Sequence, residues 1–409
     1  MNKRKIINDP VYGFISIESE LIFDLIEHPY FQRLRHIKQL GLTDLVYPGA
    51  LHTRFHHALG AMHLMGTVLE NLRNKGTEIS QREYEAAQIA ILLHDIGHGP
   101  FSHALEETLI DGVKHESLSF LFMKELNPLF NGALDLAIKI FRNSYSRKFF
   151  HQLVSSQLDI DRLDYLKRDS FFTGVIEGTI GVDRIIAMMA VVDDAIVVEE
   201  KGIFSIESFL NARRLMYWQV YLHKTSVSAE RLLVNLIKRA QYLSHSGEKL
   251  QGSDALKLFL NHHYQLEDFK EKHSVLKTFG SLDDMDIWGA IKMWQSNRDP
   301  LLQLLCTMIL HRNLFQIILT SDPIKKNQIE KVRNGISKKY SLLKSDTVYL
   351  FSIGTVSNEA YLAEKQAIHV LTKSGAVVDI GQVSDLPSIK SMSKIVKKNY
   401  LCWPKNVYL

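Results

Sequence analysis

The sequence predicts a mainly α fold, a helical bundle carrying a small β-hairpin insertion and ending in a C-terminal α/β lobe. Three observations lead to it. Apolar residues recur at helical spacing through most of the chain up to about residue 320, while period-two alternation is confined to short stretches. Strand-forming residues gather only after Asp322-Pro323. The apolar run Ile89-Ala90-Ile91-Leu92-Leu93 leads straight into His94-Asp95, then Gly97-His98-Gly99-Pro100 and His103. A buried helix does not ordinarily end in adjacent ionisable residues unless they share a partner.

Taken in order, residues 11–16 alternate as a short strand, and residues 19–40 have helical spacing at Leu21, Leu25, Ile26, Phe31, Leu34 and Ile37, interrupted at Pro29. A loop over 41–49 precedes a helix over 54–72, and His52, Arg54, His56 and His57 crowd its start. Helices over 83–97, 115–126 and 133–141 follow. An amphipathic helix over 150–169 then carries Asp161, Tyr165 and Asp169 at spacings of four. Alternating valines and isoleucines around Lys201-Gly202 predict a hairpin at about 195–206. A helix over 206–223 aligns Arg213, Tyr217, Tyr221 and Lys224 along one side. Further helices cover 229–243, 253–263 and 284–320, the last divided at Pro300. Residues 348–353 and 368–380 are β-rich, the latter turning at Lys373-Ser374-Gly375. The expected division is therefore a helical core over 1–322 and a small α/β lobe over 323–409. Lysines 325, 326, 338, 339, 397 and 398 give that lobe a basic face, suited to solvent or to a nucleic-acid partner.

Composition narrows the class. With 46% hydrophobic and 23% charged residues, disorder is excluded, and no apolar run is long enough to span a membrane. The N-terminus, Met1-Asn2-Lys3-Arg4-Lys5, has no adjoining apolar segment of a secretory signal, so a cytoplasmic location is expected. Cys306 and Cys402 form no CxxC or Cys/His cluster and read as free thiols. A formal charge of +4 is compatible with an anionic substrate but too mild to demand nucleic acid.

His94 and Asp95 offer a nitrogen and an oxygen to one divalent cation, and His98 lies one turn on. Two ligands are too few. His57, at the start of an earlier helix, and Asp161, on a later one, can line the same bundle core; His56 is the alternative to His57. Two imidazoles and two carboxylates suit Mn, Fe, Mg or Zn with positions left open, which points to catalysis, since such an ion activates water and polarises a phosphoryl oxygen.

The quartet His57, His94-Asp95 and Asp161 resembles the H…HD…D signature of the HD-domain metal phosphohydrolases. More narrowly, Phe31-Gln32-Arg33-Leu34-Arg35-His36-Ile37-Lys38-Gln39-Leu40-Gly41, Tyr47-Pro48-Gly49-Ala50, His52-Thr53-Arg54-Phe55-His56-His57, His94 through His103 and Asp159 through Asp169 resemble the deoxynucleotide triphosphohydrolase branch. That branch has vertebrate sterile-alpha-motif HD members and bacterial relatives, and no sterile-alpha-motif domain is expected here. The resemblance is dense from about Asp9 to Lys224 and thin beyond. It implies an HD-domain helical bundle with His57, His94, Asp95 and Asp161 as metal ligands. It also implies that His98, His103 and His115 line the phosphate end, with His103 as general acid and Glu106 orienting an imidazole. Arg54, Arg162, Arg213 and Lys224 would face the triphosphate. Gln39, Leu40, Tyr165, Asp169, Tyr217 and Tyr221 would surround the rest of the nucleotide, with a tyrosine packed against C2′ to exclude a ribose hydroxyl. The chain departs from the family at His56, where an acidic residue is common, at Tyr217, where a histidine is, and at Arg162, where a lysine is.

Regulatory nucleotide sites between subunits are a further property of the branch. Glu27, Gln32 and Arg35 stand at corresponding places, Glu27 in place of an aspartate. The resemblance thus implies hydrolysis of dNTPs to deoxynucleoside and tripolyphosphate by a homo-oligomer, dimer or tetramer, with an activating nucleotide. Its rivals are an HD phosphohydrolase of another nucleotide (monophosphate, cyclic or signalling) and a nucleotide-sensing or nucleic-acid-binding regulator.

Overall fold

A computed structural model describes residues 5–101, 103–110, 112–358, 367–385 and 396–407, with the His103 side chain outside that set. The chain opens with an antiparallel hairpin, β1 (Lys5–Asp9) and β2 (Gly13–Ile17). Its turn is held by Asp9, whose Oδ1 accepts the Val11 and Tyr12 N–H groups. The expected strand at 11–16 is therefore the second arm of a hairpin. Helix α1 (Glu20–Glu27) stops where expected, before Pro29, and the rest of the segment is one short turn, α2 (Pro29–Gln32), and a 3-10 turn at Arg33–His36.

The central layer follows. Helix α3 (Arg54–Asn74) packs against α4 (Gln81–Leu92) and α9 (Ile160–Thr173), with α5 (His103–Leu109), α6 (His115–Leu129), α7 (Asp135–Phe141) and α8 (Lys148–Val154) between. Helix α4 begins at a capping box in which Ser80 Oγ accepts the Glu83 N–H and Glu83 Oε2 accepts the Ser80 N–H. The single helix expected over 150–169 is two. Asp159 breaks it by accepting both the Ser156 and Arg162 N–H groups, starting α9 afresh. The left-handed Gly174 closes α9.

Helix α10 (Val182–Met188) leads into β3 (Met189–Val192) and β4 (Ala195–Glu199). The hairpin expected at about 195–206 thus lies earlier and turns on Asp193-Asp194, both at positive φ. Aspartate tolerates that conformation, so no glycine marks the turn. Gly202, read as the turn residue, is instead a packing glycine, since a Cβ there would lie 2.6 Å from Val198 Cγ1. Helix α11 (Ile203–Met216) continues into a π-helical turn at Tyr217–Tyr221, and α12 (Lys224–His245) follows.

Helices α13 (Asp254–Asn261), α14 (Leu266–Glu271), α15 (His273–Phe279), α16 (Asp284–Trp294) and α17 (Pro300–Leu310) complete the bundle, the break at Pro300 as expected. The end of the 284–320 segment is not helical; it is β5 (Gln316–Thr320). After α18 (Lys326–Tyr340) come β6 (Ser352–Ser357), β7 (His369–Leu371), β8 (Val377–Asp379), the short α19 (Ile380–Val383) and β9 (Lys397–Trp403). Strand pairing crosses residue 322 twice. β9 lies between β5 and β6, and β7 runs parallel to β4, so the C-terminal strands are hydrogen-bonded to the core. No helix among the described residues is long and apolar enough to cross a membrane. Cys306 and Cys402 are free and buried.

Two buried side chains fix the loops around His94-Asp95. Arg33 donates to the Ile96 carbonyl (2.7 Å) and the Leu282 carbonyl (2.9 Å). Asp284, 2% exposed, accepts the Lys38 N–H (3.0 Å) and the Phe101 N–H (2.8 Å). Burial raises its pKa to about 6, against the lowering effect of those N–H groups. Asp284→Ala is expected to lower stability by about 1–3 kcal/mol at pH 5 in urea unfolding, by orphaning two N–H groups. A folded-state pKa above the unfolded one means that the folded protein holds the proton more tightly. The gap between wild type and variant should therefore narrow as the pH rises through 6.

Candidate metal centre

Three helices deliver the site. His57 comes from the first turn of α3, Asp161 from the first turn of α9, and His94-Asp95 from the turn that ends α4. Glycine permits the approach of these helices. A Cβ on Gly60 would lie 2.1 Å from Asp164 Oδ1, and one on Gly97 would lie 2.3 Å from the His115 carbonyl oxygen. α3 can therefore meet α9, and the turn after His94-Asp95 can rest on α6.

The histidines are held by one nitrogen and offer the other. His57 Nδ1 lies 2.7 Å from Asp164 Oδ2, and His94 Nδ1 lies 2.6 Å from the Ile91 carbonyl oxygen. With Nδ1–H donated to these acceptors, each Nε2 carries a lone pair. Both Nε2 atoms are buried and have no hydrogen-bond partner among the described residues. They nevertheless face carboxylate oxygens: His57 Nε2 is 3.1 Å and His94 Nε2 3.4 Å from Asp161 Oδ1, while Asp95 Oδ1 is 3.3 Å from His94 Nε2 and Asp95 Oδ2 is 3.8 Å from His57 Nε2. Ligands about 2.1 Å from one ion and at right angles to it sit roughly 3 Å apart, so these spacings and donor types fit a divalent cation.

The charges agree. Burial alone would lower the His57 pKa, but the neighbouring Asp161 and Asp164 carboxylates push it up to about 10. Asp161 is held well below the usual carboxylate range by His57 and His94 despite its own burial. The carboxylates thus favour positive charge at the point where the two Nε2 atoms converge. Behind His57 stands a fully buried chain: Arg168 donates to Asp164 (3.0 Å) and to Asp9 (2.8 Å). It brings Asp164 down to about 2, against burial, and so keeps an acceptor behind the imidazole.

The remaining predicted residues fall into three groups. Arg54 donates to Asp95 Oδ2. His98 Nε2 lies 3.4 Å from Asp95 Oδ1, and its ring stacks on His115 at 3.7 Å. His98 is held well below its usual pKa by burial, then by Arg54 and His115, and so is a neutral imidazole. Glu106 Oε1 accepts the His115 backbone N–H (2.9 Å) and lies 3.5 Å from His115 Nδ1. His103 begins α5, but the side chain assigned as general acid lies outside the described residues.

In the second group, Arg162 pairs with Asp159, Arg213 donates to Gln157 (2.8 Å), and Lys224 is exposed at the start of α12. The third group lines one wall. Tyr165 meets Tyr221 edge-on at 6.1 Å, Tyr221 meets Tyr217 at 5.2 Å, and the Tyr221 hydroxyl donates to Asp169 (2.8 Å). Gln39 and Leu40 are half-buried beside this wall's His52 segment, joined to it by the Gln39 N–H to His52 carbonyl bond (3.0 Å).

His56 is not a ligand. Its Nδ1 faces the Thr53 N–H (3.2 Å) and Thr53 Oγ1 (2.9 Å), so the imidazole caps α3 in the position where an acidic side chain closes a capping box. Sequence reasoning missed Asp164, Arg168, Ser119 and His52. Ser119 ties the turn by accepting the Gly97 N–H and donating to the His94 carbonyl. Only Asp164-Arg168, an i,i+4 charge pair among apolar positions, leaves a legible trace.

Comparison with known proteins agrees with this geometry. The HD domain family matches residues 54–169, which include all four candidate ligand positions, and the HD associated region matches residues 180–259. The YwfO protein of Bacillus subtilis is 30% identical over all of this chain and 94% of its own length. The deoxynucleoside triphosphate triphosphohydrolase SAMHD1 homolog of Dictyostelium discoideum is 30% identical over 81% of this chain; the match spans 65% of that protein. The crystal structure of a phosphohydrolase from Bacteroides thetaiotaomicron superposes with a TM-score of 0.95 at 48% identity, covering 98% of this chain and 100% of that one.

Asp164→Asn keeps the shape but removes the charge behind His57. It should weaken Mn binding by about 10–100-fold in calorimetric titration, and unchanged affinity would contradict a supporting role for Asp164.

Proposed function

The chain belongs to the HD-domain phosphohydrolase family, and on that premise we propose that it is a metal-dependent dNTP triphosphohydrolase, releasing deoxynucleoside and tripolyphosphate. The observation that carries the reading is the adjacency of two features: the convergence of His57, His94 and Asp161, with Asp95 3.3 Å from His94 and itself grouped with His98 and His115, and the wall formed by Tyr165, Tyr221 and Asp169, whose Tyr165 ring lies 6.5 Å from His57. The first suits a phosphoryl group and the second a sugar. The SAMHD1 homolog's name supplies the substrate class by analogy.

A divalent cation bound there, Mn, Fe, Mg or Zn, supplies Lewis acidity toward a phosphoryl oxygen and an attacking water. The protein's own groups do the rest. Arg54 fixes Asp95, and stacked His98 and His115 present imidazole edges at the phosphate end, with Glu106 orienting His115. His103, on the first turn of α5, is the general acid for the leaving oxygen in this reading. In this reading Arg162, Arg213 and Lys224 would attract the triphosphate, and the Tyr165–Tyr221 wall would pack against C2′ to exclude a ribose hydroxyl. Gln39 and Leu40 close the sugar side, and Tyr217 extends the wall toward the base. Glu27, Gln32 and Arg35 would serve an activating nucleotide in a homo-oligomer. Arg35 covers the Phe55 ring at 3.6 Å and donates to Gln32 Oε1.

Incubating the protein with each dNTP and Mn or Mg should yield deoxynucleoside and tripolyphosphate in equal amounts by anion-exchange chromatography. Orthophosphate or a nucleoside monophosphate as the only products would refute this reaction and favour another nucleotide substrate. His94→Ala and Asp95→Ala should each reduce turnover to background with helical circular dichroism retained, and a variant that still turns over would refute the metal assignment.

A further inference from the structure

A cleft of about 390 Å³, in the size range of small-molecule sites, lies between α8, β4 and β7 and shares no lining residue with the metal centre. Its floor is aliphatic, made by Leu158, Ile196, Val198 and Ile368. Its polar wall holds Lys148, Gln152, Ser155, Ser156 and Gln157, and among the described residues no carboxylate lines it. The protein fixes which way both amides face. Gln152 Oε1 accepts the Ile196 N–H (2.8 Å) and Gln157 Oε1 accepts from Arg213 (2.8 Å), so each Nε2 keeps two donors without a partner among the described residues. Lys148 Nζ donates to the Asn143 carbonyl (3.1 Å), while the neighbouring Asp194 carboxylate accepts the Lys148 backbone N–H. The ammonium therefore has no carboxylate partner among the described residues. His151 donates Nδ1–H to the Ile140 carbonyl (2.9 Å), and burial lowers its pKa, so it adds only an uncharged acceptor at Nε2.

We propose that this cleft binds a small organic anion, whose charged head is met by Lys148 and the two amides and whose flat apolar body rests on the aliphatic floor. Unpartnered donors around a cation without a counterion are compensated by an anionic head, and the floor favours an apolar body over water. A carboxylate-rich lining would instead select a cation, and a wholly apolar one a neutral ligand. The cleft also has a direct connection to the metal centre. Residues 155–158 join α8 to α9, Asp159 Oδ2 accepts the Ser156 N–H (2.8 Å), and Gln157 reaches across to Arg213. The wall that meets the ligand is thus the segment that leads into Asp161.

Calorimetric titration of the full-length protein separates head from body. Phenyl phosphate and benzoate carry both, inorganic phosphate is a head alone, and benzyl alcohol is a body alone. Each is titrated into wild type and into Asp161→Ala, which removes anion binding at the metal centre; metal-stripped wild type takes its place if that variant does not fold. In the Asp161→Ala background phenyl phosphate or benzoate should bind, and the tighter of the two identifies the head as phosphate or carboxylate. Inorganic phosphate and benzyl alcohol should each bind about tenfold more weakly, since each lacks one of the two contacts. Adding Gln152→Glu keeps an oxygen for the Ile196 N–H but replaces the amide donors with negative charge, and should weaken the tighter ligand by about tenfold or more. Lys148→Ala, at an exposed position on the first turn of α8, should act in the same direction and serves if Gln152→Glu does not fold. Binding that disappears with Asp161→Ala would place the anion at the metal centre and overturn the proposal. So would an affinity that neither cleft substitution changes, a head or body alone that binds as tightly as the two together, or no binding of either full ligand at about 10 mM.

Discussion

Burying like-charged groups around one point is the constraint on which the rest of the site depends. Asp95 and Asp161 are drawn together by His57 and His94, and each imidazole turns a lone pair toward the same small space. Taking carboxylates out of water is costly unless cations or N–H donors compensate them. The chain supplies that compensation in layers. Arg54 holds Asp95, while Arg168 holds Asp164 and Asp9 behind His57. The remaining demand for positive charge falls where a metal ion would sit.

The surrounding fold is arranged to keep that point fixed. α9 carries Asp161, Asp164 and Arg168 on successive turns, so one helix provides a candidate ligand, the acceptor behind the His57 imidazole and the counterion for that acceptor. The loop after His94-Asp95 is pinned by Arg33, Ser119 and Asp284, which reach it from separate parts of the chain. A site built this way keeps its geometry before any substrate arrives, which favours electrostatic stabilisation of a developing charge.

Most of the helical layout was legible because it depends on local chemistry. Pro29 and Pro300 interrupt helices where expected, and the apolar run before His94-Asp95 is a buried helix. The convergence of His57, His94 and Asp161 was legible because such residue types are costly in a core without a shared partner. Less visible were features set by tertiary contact. The break at Asp159 depends on a side chain capping backward and forward at once, and the hairpin turn uses two aspartates instead of a glycine. β5 looked like the end of a helix because its partners, β9 and through it β6, lie far along the chain. His52 stood in a crowd of histidines at the start of α3, and sequence spacing alone could not separate the one that holds Asp169 from the one that caps the helix.

The most direct test of the metal centre is an anomalous-scattering map of crystals loaded with Mn. The arrangement predicts one peak, about 2.1 Å from His57 Nε2 and His94 Nε2 and within bonding distance of Asp95 and Asp161. A peak on Asp95, His98 and His115 instead, or none within the cluster, would contradict it.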